Sequence, residues 1–229
     1  MLSSYNSQNK SISVVVYEPQ RSGTFPALLV IHGSCGPVSS FVGSYAQQLA
    51  NLGYVVFFVH YFDATGTTWA SFSGIRTHFL TWLTALSDAI AFAARHAKVD
   101  SRRVGFLGIS LGGYLSLSLA AKDPRITAVA SLMGGMPPEI VAEARQMPAT
   151  LLLHGEADPV VPLSEAFVVE ALLKRVGAAH ELKTYPGQGH SFKGLAQLDA
   201  LTRTLRFLNR HLKQESAVSG VADLLLNFR

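Results

Sequence analysis

Apolar and polar positions follow two rhythms along the chain. Short runs of β-branched and aromatic residues fall at 13–17, 27–31, 55–59, 103–107, 128–132, 150–153 and 181–185, and each reads as a strand. Between them, apolar residues recur at spacings of three and four, which predicts helices over 44–52, 77–97, 111–121, 163–176 and 196–213. Gly53 stands where the first of these helices needs a C-cap. Strands separated by helices pair in parallel through right-handed crossovers. The pattern therefore predicts an α/β fold: a doubly wound, mostly parallel sheet with helices on both faces. One domain is expected over 1–229, with 214–229 as a C-terminal tail in which 221–228 either docks as a final amphipathic turn or frays. The excursion GGMPPEIVAEARQMP, 134–148, is too short for a large lid, which predicts a fairly open site.

Composition excludes several classes of function. With 48% hydrophobic and 15% charged residues, the chain suits a sheet buried on both faces and is unlike a disordered one. The net charge of +4 comes from Lys and Arg scattered along the chain, so no basic stripe offers itself to nucleic acid. Cys35 is the single cysteine, which rules out an internal disulfide and a thiolate cluster for zinc. No apolar run reaches the ~18 residues of a membrane span. The polar opening MLSSYNSQNKSISVVVYEP lacks the basic and apolar segments of a secretory leader, so a cytoplasmic location is expected.

The chemistry gathers around FLGISLGGYLSLSLAA, 106–121. Gly108, Ser110 and Gly112 form a Gly-x-Ser-x-Gly pattern directly after a strand and before a helix. In that context a strained turn lifts the hydroxyl above the sheet, and the helix start supplies the Leu111 N–H to an oxyanion. The competing reading is that Ser110 merely caps the helix. A nucleophilic hydroxyl needs a base and an orienting acid, and later strand ends carry both. Asp158 lies in the HGEADP turn beyond 150–153, with Glu156 as the rival carboxylate and an Asx turn as the structural alternative. His190 lies in the Gly-rich loop YPGQGHSF beyond 181–185. The order Ser110, Asp158, His190 is that of the α/β-hydrolase arrangement. After 27–31 the chain turns through HGSCG, where Ser34 or Cys35 is expected to give a second oxyanion N–H.

The segments VIHGSCG, YFDATGT, GFLGISLGGYLSL, LLLHGEADPVVP and YPGQGHSF, spread over most of the chain in order, resemble the dienelactone hydrolase family of α/β hydrolases. The resemblance implies a sheet of about eight strands, acyl transfer by Ser110, His190 and Asp158, and neither a metal nor an organic cofactor. Archetypal members use a cysteine nucleophile, a glutamate near the oxyanion strand, and arginines for a substrate carboxylate. Here the nucleophile is serine, GSCG offers no acid, and SFKG follows the histidine, leaving Lys193 as a point charge. Arg76 and His78 are the other groups that could meet an anion. A serine esterase for small to medium esters is the resulting expectation. Dienelactone hydrolysis, thioester or small-peptide hydrolysis, and a noncatalytic ligand-binding hydrolase fold stand as alternatives. Tyr61, Phe62, Trp69 and Met136 are candidate pocket walls, each equally suited to the core. The expected partner is a small-molecule ester, with no nucleic acid and no membrane, and the chain is expected as a monomer or homodimer.

Overall fold

The computed structural model describes residues 1–37 and 39–213, with side-chain surroundings described outside 39–44. The expected tail, 214–229, with its amphipathic turn, lies outside the described residues. Strands β1 (Leu2–Ser7), β2 (Lys10–Tyr17), β3 (Phe25–Ile31), β4 (Val55–Val59), β5 (Val99–Ile109), β6 (Ile126–Leu132), β7 (Ala149–Gly155) and β8 (His180–Tyr185) form one sheet in the order β1-β2-β4-β3-β5-β6-β7-β8. From β4 to β8 neighbouring strands pair in parallel, while β1 and β2 add antiparallel pairs at one edge. Helices α1 (Ser39–Asn51), α2 (Phe72–Ala94), α3 (Leu111–Ala120), α4 (Pro138–Glu143), α5 (Leu163–Arg175) and α6 (Leu195–Leu208) complete the fold.

Period-two geometry divides β3 between two cores. Ala27, Leu29 and Ile31 face a cluster shared with Trp82 and Leu86 of α2, Leu115 of α3 and Val169 of α5. Leu28 and Val30 face the opposite cluster, which holds Ala46 of α1 and Ala200, Leu205 and Phe207 of α6. Both faces of the sheet are thus covered, which is why β3 and β4 read as continuous apolar runs. Each large side chain so buried contributes about 1.5–3 kcal/mol.

Several boundaries differ from the sequence expectation, four of them for a clear local reason. Strand β1 was not predicted because it buries only alternate positions, Tyr5 and Ser7, and otherwise carries polar residues and an exposed Leu2. Helix α2 starts at Phe72 rather than 77, because the Ser71 hydroxyl accepts the Gly74 N–H and caps a first turn that is exposed and has no apolar stripe. Residues 138–143 of the expected excursion form the short helix α4, which starts at a proline and buries Ile140. The single helix expected over 196–213 changes to π winding at Asn209–Lys213. Among the described residues, no helix is long and apolar enough to cross a membrane.

Candidate active site

Strand β5 ends at Ile109 and α3 begins at Leu111, so the whole reversal falls on Ser110, at φ 55° and ψ −119°. That conformation is rare for a residue with a Cβ, and the turn holds it through several bonds. The Ser110 N–H donates to the Leu132 carbonyl (2.8 Å), and its carbonyl accepts from Gly113 (2.8 Å) and Tyr114 (3.1 Å). A Cβ on Gly108 would overlap the Gly112 carbonyl, and one on Gly112 would overlap the carbonyls of Ile31 and His32. The glycines therefore let strand, helix and the end of β3 meet. The Ser110 side chain makes no cap bond to α3, which sets aside the capping alternative. Its Oγ lies 2.9 Å from His190 Nε2.

The other face of the imidazole is held by Asp158, whose Oδ2 accepts from Nδ1 at 2.7 Å. Asp158 Oδ1 accepts the backbone N–H groups of Val160 (2.8 Å) and Val161 (3.0 Å), and the carboxylate is wholly buried. Burial alone would raise its pKa. The bonds from His190, Val161 and Val160 outweigh that and hold it below the ordinary aspartate value, so the group stays an anion. The rival Glu156 points elsewhere and accepts from the Thr184 hydroxyl at 2.7 Å.

The turn carrying Asp158 and the loop carrying His190 are also tied to each other. The Glu156 N–H donates to the Tyr185 carbonyl (3.1 Å) and the Ala157 N–H to the Gln188 carbonyl (2.9 Å). A Cβ on Gly155 would overlap the carbonyls of Gln188 and Gly189, so this approach requires glycine. His154, fully buried one residue earlier, lies 2.9 Å from the Val161 carbonyl through Nε2, with Asp158 Oδ2 at 3.7 Å. Neither strand pattern nor spacing pointed to His154, because a histidine at a buried strand end looks like any polar terminus.

Across from the elbow, Gly33 to Gly36 form a turn closed by a bond from the Gly36 N–H to the Gly33 carbonyl (3.1 Å). A Cβ on Gly33 would stand 3.3 Å from that of Ser110, so this turn borders the hydroxyl directly. Ser34 and Cys35 occupy its central positions. Among the described residues, the N–H groups of Ser34, Cys35 and Leu111 have no backbone acceptor. The Ser34 carbonyl accepts the Ala70 N–H (2.9 Å), and Gly36 abuts the Thr68 carbonyl, which ties the turn to the segment after β4. That segment and α2 enclose a cavity of about 330 Å³ lined by Thr67, Thr68, Trp69, Ser71, His78 and Trp82.

Of the four candidate wall residues, Trp69 lines this cavity and is 64% exposed. Tyr61, Phe62 and Met136 are instead buried in the core. Tyr61 stacks on His32, and Phe62 packs on Trp82, so their surface is taken up by packing. Of the possible anion partners, His78 lines the cavity beside Trp82, and Arg76 and Lys193 are not part of its lining.

The model of the dienelactone hydrolase family matches residues 12–211. The chain belongs to the dienelactone hydrolase family. It is 26% identical over 191 residues to a Methylorubrum extorquens protein named "Putative carboxymethylenebutenolidase", covering 76% of this chain and 65% of that protein. The chain thus spans slightly less than two thirds of that relative. It is also 26% identical over 221 residues to a Bradyrhizobium protein named "Probable 2-oxo-3-(5-oxofuran-2-ylidene)propanoate lactonase", covering 85% of this chain and 87% of that protein. Its fold resembles a solved Klebsiella pneumoniae structure titled "Putative Dienelactone Hydrolase", with a TM-score of 0.81 at 21% identity over 92% of this chain and 98% of that one.

Proposed function

We propose that this member of the family is a serine hydrolase that cleaves small to medium carboxylic esters through an acyl-enzyme. The observation that carries the reading is the unbroken hydrogen-bond chain from Ser110 Oγ through His190 to the buried Asp158 carboxylate. In this reading His190 takes the hydroxyl proton as Oγ attacks the ester carbonyl carbon. The carbonyl oxygen becomes an oxyanion held by the N–H groups of Leu111 and Ser34, with Cys35 as the alternative second donor. His190 then protonates the departing alkoxide, and the acyl group stays on Ser110. Water deprotonated by the same imidazole attacks the acyl-enzyme and releases the acid. Asp158 keeps the proton on Nδ1 and stabilises the imidazolium that forms in each half-reaction.

Lactones are the second reading, favoured by the names of the two relatives. A lactone differs from an open ester in keeping its alcohol attached to the acyl group, so the same machinery serves both.

A fluorophosphonate probe is expected to add to Ser110, located by peptide mass, and Ser110→Ala is expected to lower kcat on p-nitrophenyl esters by on the order of 10⁶. A folded Ser110→Ala variant with near-normal turnover sinks the assignment. Repeating the assay with lactones and with carboxylate-bearing esters separates the two substrate readings.

A further inference from the structure

His32, at the end of β3, is almost fully buried, yet its ring does two unequal things. Nδ1 lies 2.8 Å from the Gly33 carbonyl oxygen. That atom can only accept, so Nδ1 carries the proton and Nε2 is bare. Nε2 is itself buried and has no hydrogen-bond partner among the described residues. A phenylalanine would fill the same space without burying an unpaired acceptor. Packing therefore does not explain a histidine here, and the Nδ1–H does.

The carbonyl it holds belongs to a consequential peptide. A peptide unit is planar, with C=O and N–H pointing in opposite directions, so fixing the Gly33 carbonyl fixes the Ser34 N–H. The Gly33 oxygen accepts both the His32 ring and the Gly36 N–H, which pin the plane from two sides. The ring is clamped in turn. It stacks on Tyr61 at 4.2 Å and 16°, and meets the edge of Phe62 at 4.8 Å. The Tyr61 hydroxyl donates to the His32 carbonyl at 3.0 Å.

We propose that His32 is a positioning residue for the oxyanion site, aiming the Ser34 N–H at the reacting carbonyl oxygen by holding the Gly33–Ser34 peptide. This rests on the serine hydrolase reading above. It also selects Ser34 over Cys35 as the second donor, because the fixed carbonyl shares its peptide with Ser34. Burial pushes the His32 pKa down to about 4, so near neutrality the ring is a neutral single donor, as this role requires.

The test compares two variants with the wild type. His32→Phe keeps an aromatic ring on Tyr61 and removes the donor, whereas His32→Asn places an amide N–H near the position of Nδ1. For His32→Phe, kcat on a neutral p-nitrophenyl ester is expected to fall about 10- to 100-fold, less than or equal to the effect of losing an oxyanion donor outright, with KM changed less than about threefold. Affinity for an alkyl boronic acid, whose tetrahedral adduct on Ser110 fills the oxyanion site, is expected to fall by the same factor. His32→Asn is expected to recover most of both. Wild-type kcat in folded His32→Phe, or an Asn variant no better than Phe, overturns the proposal. A ring-nitrogen NMR spectrum of the wild-type protein supplies a readout should the Phe variant not fold: the Nδ1–H tautomer is expected for His32, and the Nε2–H tautomer overturns the role. Failure of the underlying reading shows up separately, as wild-type protein that neither labels at Ser110 nor hydrolyses esters, and the role of His32 falls with it.

Discussion

Ser110 combines two demands that conflict in an ordinary residue. Its hydroxyl must stand clear of the sheet, and its backbone must sit at φ 55°, where a Cβ is strained. Because the side chain gives nothing to the helix as a cap, replacing it costs no cap bond. Ser110→Gly should therefore be more stable than Ser110→Ala, by about 1 kcal/mol once relief of strain is set against glycine's extra chain entropy. Urea midpoints at equal slope check this, and an alanine variant as stable as the glycine one would show that the turn is unstrained. The residues that the sequence singled out as Ser110, Asp158 and His190 are the ones brought within hydrogen-bond reach, because each follows a strand whose apolar run is plain. Individual aromatic roles were less legible. Tyr61 and Phe62 lie in a short 3₁₀ turn directly after β4, and nothing in their order shows that they pack inward while Trp69, a few residues on, stays out. His32 was passed over for a related reason, since the meaning of its ring lies in one carbonyl oxygen.

At the scale of elements, the site exists because three backbones meet without side chains between them. Gly112 is the tightest case, with the carbonyls of Ile31 and His32 where its Cβ would be. Both obstructing atoms are backbone, so no rotamer change can make room. Gly112→Ala is expected to destabilise the fold by about 1–3 kcal/mol and to lower ester turnover more than Gly74→Ala in the first turn of α2, where a Cβ meets nothing closer than the Ser71 hydroxyl at 3.4 Å. Chemical denaturation with parallel rate measurements distinguishes the two, and equal effects would remove the reason given for glycine. Central strands were readable as elements because both faces are buried. The polar hairpin strand β1, the exposed first turn of α2 and the change of winding at 209 were not, since hydrophobic rhythm reports burial and is silent where burial is one-sided or unchanged.

Over the whole molecule, buried imidazoles couple stability to pH. His32 titrates near 4 when folded, against about 6.5 in an unfolded chain, so between those values the unfolded state binds the additional proton. Stability should therefore fall as pH drops from 6.5 towards 4, with His32 contributing on the order of 3 kcal/mol across that window and nothing further below it. His60, lowered by burial, acts in the same direction. The wild-type urea midpoint should fall relative to that of His32→Asn as pH drops through this range, because the variant lacks one titrating group; parallel curves would contradict the assignment. Fold class was legible at this scale because alternating strands and helices leave few ways to cover a parallel sheet.

The strand order has one more consequence. Ser110 and the Gly33–Gly36 turn follow adjacent strands in the middle of the sheet, whereas the His190 imidazole follows β8 at its border and the Asp158 carboxylate follows β7 beside it. On the proposed mechanism, charge-holding is thus anchored at the centre of the sheet, and proton handling hangs from the margin. If that mechanism holds, changes along the β7–β8 border act on the proton transfers and leave the central strands in place.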